Sequence, residues 1–331
     1  MALPQSPASN FPGGFNNVTI RGVPITQAHP GQVWWVSNAA ATLLPGQISG
    51  SDGNPGTFNA PFKTLEYAIT RCTANRGDII FIKPGHAETI SSATALAFDI
   101  AGVAIVGLGL GTKRPTFTLD TAATTTIAVT ADNISVLNCR FIGNFLSITS
   151  AFTVAAAANF TIDNCSFTDT SAILGFLSVL KTTVSVNSDF LQVSNCFIKS
   201  DATTKGVAPI VVLNTMTGLT LTDNLVVQTV AQNNVSQFLS HAALVMTAAL
   251  ISGNKVYSVN TDSTTGAFLV TTSATTGSGI IQNNVVRGLD TAGALMISTG
   301  TNVGNQYGLF NNLYIGDVDF SGFVLPAIGT N

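Results

Sequence analysis

The chain has 331 residues, of which 9% are charged and 46% hydrophobic, and its formal net charge is −3. That hydrophobic content excludes a disordered chain, and the acidic balance excludes the basic footprint of a sequence-independent nucleic-acid binder. No stretch reaches the ~18 uninterrupted apolar residues of a membrane-spanning helix, residues 1–10 lack the basic and apolar regions of a secretory signal, and so few charges point to a surface covered by other protein.

Residues 1–50 are rich in Pro, Gly, Asn and Ser and read as an extended N-terminal arm, with one strand-like run from Val33 to Val36. Trp34 and Trp35 would be exposed at some cost in such an arm, which makes them candidate contacts to a neighbouring subunit. Residues 51–78 read as a capping segment. Within it, Thr64 to Ala74 places Leu65, Ile69 and Cys72 on one helical face, with Gly77 set to end the helix. A solenoid needs such a cover over its first coil. Arg76-Gly77-Asp78 spells an adhesion tripeptide but reads as a helix stop followed by a strand start. Val106 to Thr112 looks like a dinucleotide fingerprint, yet Thr112 stands at the third glycine position and Pro115 follows where a helix must begin. It reads as a bend, and no cofactor is expected.

Residues 79–318 repeat. Aligning on Cys139, Cys165, Cys196, Asn224, Asn254, Asn284 and Asn312 gives one column with steps of 26, 31, 28, 30, 30 and 28 residues. Three residues before each anchor stand Val136, Ile162, Val193, Leu221, Ile251, Ile281 and Leu309; two after stand Phe141, Phe167, Ile198, Val226, Val256, Val286 and Tyr314. Immediately before the anchors stand Asn138, Asn164, Asn195, Asp223, Gly253, Asn283 and Asn311. Alternation such as Phe160, Thr161, Ile162 marks a half-buried strand, and an Asn pair between inward apolar residues marks a bend, because Asn tolerates turn conformations. Enrichment in Thr, Val, Ile and Phe argues against a helical solenoid.

Each repeat is therefore one coil of a single-stranded right-handed parallel β-helix, an all-β fold apart from the capping α-helix. Ile105 and the run Asp78 to Lys83 supply two earlier, looser coils, for nine or ten in all and a stack about 45 Å tall at ~4.8 Å per coil. Stacked asparagines at one bend can bond their amides up and down the column, forming a ladder. The three aligned cysteines read as inward thiols, and no C-x-x-C spacing suggests a metal site. Residues 319–331 read as a C-terminal tail whose apolar Phe323, Leu325 and Ile328 are further candidate subunit contacts.

Catalytic chemistry is harder to find. Glycoside cleavage needs two carboxylates in acid and base or nucleophile roles, but Asp132, Asp163, Asp169, Asp189, Asp201 and Asp223 fall at different offsets from their anchors. Only Asp290, Asp317 and Asp319 are spaced to be neighbours on adjacent coils. They are the catalytic candidates if the chain is an enzyme, and solvated turn carboxylates explain them equally well. His29, His86 and His241 share no column with a nucleophile or another metal ligand, and Glu66 and Glu88 lie in the cap and the first coil. The leading expectation is a chain that is not an enzyme.

The stretch Gly50-Ser-Asp-Gly-Asn-Pro-Gly-Thr57, followed by Ala60-Pro-Phe-Lys-Thr-Leu-Glu-Tyr-Ala-Ile69, Arg76-Gly-Asp-Ile-Ile80 and Pro84-Gly-His-Ala-Glu88, resembles the opening of pectin-lyase-like β-helix proteins encoded by tailed bacteriophages. The repeats fit the same family through to Tyr314. Such proteins include trimeric head decoration (cement) proteins and tailspikes. The resemblance implies a virion protein made in the host cytoplasm, a homotrimer on the outer capsid surface with the major capsid protein as partner. The chain departs from the tailspike pattern: it shows neither a separate head-binding domain before the β-helix nor a trimerisation domain after it, and no evident carboxylate groove. Those departures favour decoration over a polysaccharide-binding or polysaccharide-degrading tailspike.

Overall fold

The structure is a computed structural model that describes residues 31–38, 46–184, 188–203, 208–229, 238–241, 245–257, 277–287 and 306–315, and the backbone of short strands at 19–20, 23–24, 267–271, 295–298 and 322–323. Alternation of apolar and polar residues sets its architecture. Three sheets of parallel strands wrap one core, each coil giving one strand to each sheet in turn. The first sheet has ten strands along one path, beginning Val33–Val36, Ile79–Ile82, Ala104–Gly107 and Ser135–Leu137 and ending at Gln306–Phe310. The second runs from Ala87–Ile90 to Leu313–Ile315, against which Gly322–Phe323 pairs antiparallel. The third runs from Ala97–Phe98 to Leu295–Ser298. This is a parallel β-helix.

Register follows the sequence columns. Val136, Ile162, Val193, Leu221, Ile251, Ile281 and Leu309 are successive partners in the first sheet. Phe141, Phe167, Ile198, Val226, Val256, Val286 and Tyr314 are partners in the second. A one-residue slip would turn these side chains outward. Phe117, Phe141 and Phe167 stack inside the second sheet, with centroids 5.6 and 5.2 Å apart.

The N-terminal end differs from expectation in two respects. The helix is shorter, Leu65–Thr70, with Thr64 Oγ1 accepting from the Tyr67 N–H at its start. Beyond it the Asp78 carboxylate accepts from the Thr73 N–H at 2.8 Å and Asn75 takes a φ of 58°, so residues 71–78 close a turn instead of continuing the helix. The second difference is Val33–Val36. Placed in an arm by sequence, it is instead the first strand of the solenoid, paired in parallel with Ile79–Ile82. Its open edge is covered by the chain itself: Trp35 N–H donates to the Gly56 carbonyl, and Ser37 N–H to that of Phe62. An uncovered edge here would template further pairing. Among the described residues no helix is long and apolar enough to cross a membrane.

Candidate functional site

The bend between the first and second sheets holds the most continuous polar array. Buried Asn254 shows its unit: Nδ2 donates to Asn284 Oδ1 (3.0 Å) and to the Leu221 carbonyl (2.8 Å). Its Oδ1 accepts from the Asn224 N–H (3.1 Å) and from Asn224 Nδ2 (2.9 Å). Both donors and both acceptor positions of the amide are used. Asn284 repeats the unit with Asn312, and Asn224 Oδ1 accepts from the Cys196 N–H at 3.0 Å. Where cysteine replaces asparagine the pattern persists in weaker form. The Cys165 thiol faces the Val136 carbonyl (3.6 Å) and accepts from the Cys139 N–H (3.4 Å), and Cys196 Sγ lies 3.9 Å from the Ile162 carbonyl.

Burial pushes the Cys165 thiol up to about 12 and those of Cys139 and Cys196 well above the ordinary thiol range. Thiols that stay protonated are poor nucleophiles and poor metal ligands. The residues just outside the anchors do different work. Asn138, Asn164, Asn195, Asp223, Asn283 and Asn311 have φ between 50° and 55°, and Gly253 has 70°. This left-handed corner admits Asn, Asp and Gly most readily, which explains the composition of the row. Asn164 Nδ2 reaches Asn138 Oδ1 and Asn311 Nδ2 reaches Asn283 Oδ1, both at 3.3 Å.

Most carboxylates that might have done chemistry instead fasten one coil to the next. Asp132 accepts from the Ala158 N–H, Asp189 from that of Thr217, and Asp163 from Ser194 Oγ and Asn195 Nδ2, all at 2.7–2.8 Å. Asp169 accepts from the N–H groups of Phe176, Asp201 and Ala202. It borders a pocket of about 20 Å³, room for a single water.

The motif residues of the opening stretch are similarly engaged. Asp52 accepts from the Lys63 and Thr64 N–H groups and Thr64 Oγ1. Glu88 Oε2 lies 3.0 Å from both the Leu65 N–H and His86 Nε2. Because His86 Nδ1 accepts from the Asn38 N–H, Nε2 carries the proton and donates to Glu88. Buried Asp78 binds Arg76 through two bonds of 2.7 Å and accepts from the Gln32 N–H. Burial alone would raise its pKa, but Arg76 and the two backbone donors hold it below the usual carboxylate value. The adhesion-like tripeptide is thus a structural clasp.

Trp34 and Trp35, expected at a subunit contact, are packed within the chain. Trp35 is 3% exposed, stacks on Phe81 at 5.2 Å and meets Phe58 edge-on at 4.9 Å; Trp34 lies 5.6 Å from Phe62. Theirs is the first strand of the solenoid, and the covering segment buries Trp35 and partly buries Trp34. Asp290, Asp317, Asp319, Leu325, Ile328 and His29 lie outside the described residues, and of Phe323 only the backbone is described. His241 faces the core from the third sheet, beside Val212 in register. Among the described residues no three His, Cys, Asp or Glu side chains are grouped to hold a metal.

One group escaped the sequence reading. Residues one and three positions after each anchor form the outward face of the second sheet, and from Phe197 onward they are apolar or cationic rather than hydroxylic. Their signal was present as a regular offset, hidden because attention to inward columns treats the alternate positions as solvated.

No protein-family model matches the chain, and no curated protein matches it. Among solved structures, a rhamnogalacturonan lyase is similar over 89% of this chain and 90% of its own, at 12% identity and a TM-score of 0.49. A protein titled Geobacillus virus E2 ORF18 shares 12% identity over 76% of this chain and 57% of its own, with a TM-score of 0.39. A GH136 lacto-N-biosidase from Eubacterium ramulus shares 12% identity over 86% and 68%, with a TM-score of 0.41. At these values the likeness adds nothing beyond the fold.

Proposed function

We propose that the chain is a structural virion protein, a decoration or cement protein that binds the outer surface of a phage head as a homotrimer, with the major capsid protein as partner. The observation that carries this reading is the use of the polar groups. The asparagine column, the left-handed corner row, Asp52 and Asp78 in the cap, Glu88 in the first coil, and Asp132, Asp163, Asp169 and Asp189 along the coils all spend their hydrogen bonds holding the cap and the coils together. Such a stack resists deformation while leaving its faces for protein contact. The opening motif and the low charge support the same reading. Mass spectrometry of intact particles tests it: the chain should be present in many copies, purify as a trimer, and raise the temperature at which heads release DNA. A monomer absent from particles contradicts it.

The competing reading is a polysaccharide-binding or polysaccharide-degrading tail protein. It is favoured by the spacing of Asp290, Asp317 and Asp319 on successive coils, the two-carboxylate arrangement that glycosidic cleavage requires. A reducing-end and lyase assay on host capsular polysaccharide, run beside an Asp290→Ala/Asp317→Ala/Asp319→Ala variant, separates the two. Activity lost in the variant makes the chain an enzyme.

A further inference from the structure

The outward face of the second sheet changes character along the solenoid. In the early coils it presents mostly hydroxyls, Thr89, Thr116, Thr118, Ser166 and Thr168, with Ala87, Arg140 and Ile142 among them. From the coil of Cys196 onward it presents Phe197, Leu225, Val227, Tyr257, Val285 and Leu313, in register from coil to coil. Phe197 and Tyr257 are each 36% exposed.

The charges on this face have one sign. Lys199, Lys255 and Arg287 stand in its outward columns in these coils, with no acid among them. Lys199 is held by Asp201 at 2.6 Å, and among the described residues neither Lys255 nor Arg287 has an ion-pair partner. The adjoining first sheet differs. From Ser135 onward its outward columns carry no cation among the described residues. They carry Asp163, and exposed Asp223 stands on the bend between the two sheets. Its own apolar residues, Leu250, Ile280 and Phe310, lie in the same coils as the second sheet's, with Ile280 43% and Phe310 57% exposed.

We propose that these two faces bind each other between copies: the second sheet of one chain packs on the first sheet of the next, with solenoid axes parallel and the asparagine bend turned toward the ring axis. The charge signs favour this pairing. Second sheet against second sheet would oppose cations with cations, whereas the first sheet sets no cation against them among the described residues of these coils. Parallel axes place coils at equal height, so apolar residues meet apolar residues. Because the two faces belong to different sheets, the contact is heterologous and closes by rotation. This inference rests on the trimer reading above and assigns its surface.

The test is light scattering on the full chain and on two variants. Val227→Thr/Tyr257→Thr/Val285→Thr restores the hydroxylic character of the early coils on the second sheet; Ile280→Thr/Phe310→Thr does so on the first. Threonine suits a strand, and unchanged circular dichroism verifies folding. Wild type should measure three times 34.2 kDa and each variant 34.2 kDa. A mixture of the two variants should give a dimer, since one intact face of each kind remains. Wild type as a monomer, variants that stay trimeric, or a mixture that stays monomeric overturns the proposal, as does a monomer that binds an acidic polysaccharide through Lys255 and Arg287. Variants that remain trimeric and stay on particles would leave the decoration reading intact while removing this interface.

Discussion

His241 is an imidazole inside an apolar solenoid. Its Nε2 lies 3.3 Å from the Asn214 carbonyl and so must donate, while Nδ1 has no partner among the described residues. Burial lowers its pKa, opposed by the Asn214 carbonyl, which favours the charged ring. The unfolded chain titrates near the ordinary value of about 6.5. Between the folded and unfolded pKa only the unfolded chain takes up the proton, so stability is full above the unfolded value and falls as acid is added. Each unit of lowering corresponds to about 1.4 kcal/mol. The melting temperature is expected to drop as the pH falls below the unfolded value of about 6.5, and His241→Val, matching Val212 in the same column, should flatten that drop. An equal drop in the variant would place the acid sensitivity elsewhere. Sequence did not place this residue, because the third sheet has no fixed offset from the anchors. Phe152, Leu180, Ile210 and Leu239 are register partners yet stand 13, 15, 14 and 15 residues after their anchors.

The bend column shows the opposite case. Its short connection cannot vary in length, so the asparagines stay in step and can be read directly from spacing. Spacing alone does not tell which of each Asn pair enters the core, and either can form a ladder. Backbone geometry separates them, since the left-handed residue points out and the anchor points in. Val33–Val36 escaped for a related reason: its register step to the next strand of its sheet, Val33 to Ile79, is 46 residues, against roughly thirty in the later coils, so no period connects it to the repeat. The ladder makes two expectations. Asn254→Ala leaves the Asn224 N–H and the Leu221 carbonyl without side-chain partners in a buried place, at about 1–3 kcal/mol for each group. Cys196→Asn should extend the amide column by a coil, donating to Asn224 Oδ1 and the Ile162 carbonyl, and raise stability by about 1 kcal/mol. Denaturant midpoints check both, and a Cys196→Asn protein less stable than wild type would show that the thiol's smaller volume, not its polarity, selects cysteine there.

Across the whole molecule each coil touches its two neighbours and little else, so stability is a sum of coil and nearest-neighbour terms rather than a single cooperative unit. The phenylalanine stack is where that coupling is most concentrated. Phe141 lies 5.6 Å from Phe117, 5.2 Å from Phe167 and 4.9 Å from Phe152, bridging three coils and two sheets. Phe141→Ala removes all three contacts and opens a cavity, a loss of about 3–5 kcal/mol. In a globular core that loss lowers the protection of every slowly exchanging amide by the same amount. Here it should stay local. Hydrogen exchange is expected to quicken at the amides of Phe117, Phe141, Phe152 and Phe167 while those of Leu250 and Ile251, several coils away and held by the asparagine column, keep their wild-type rates. Uniform quickening along the stack would mean that the ladder transmits strain across many coils, and that the solenoid unfolds as one body.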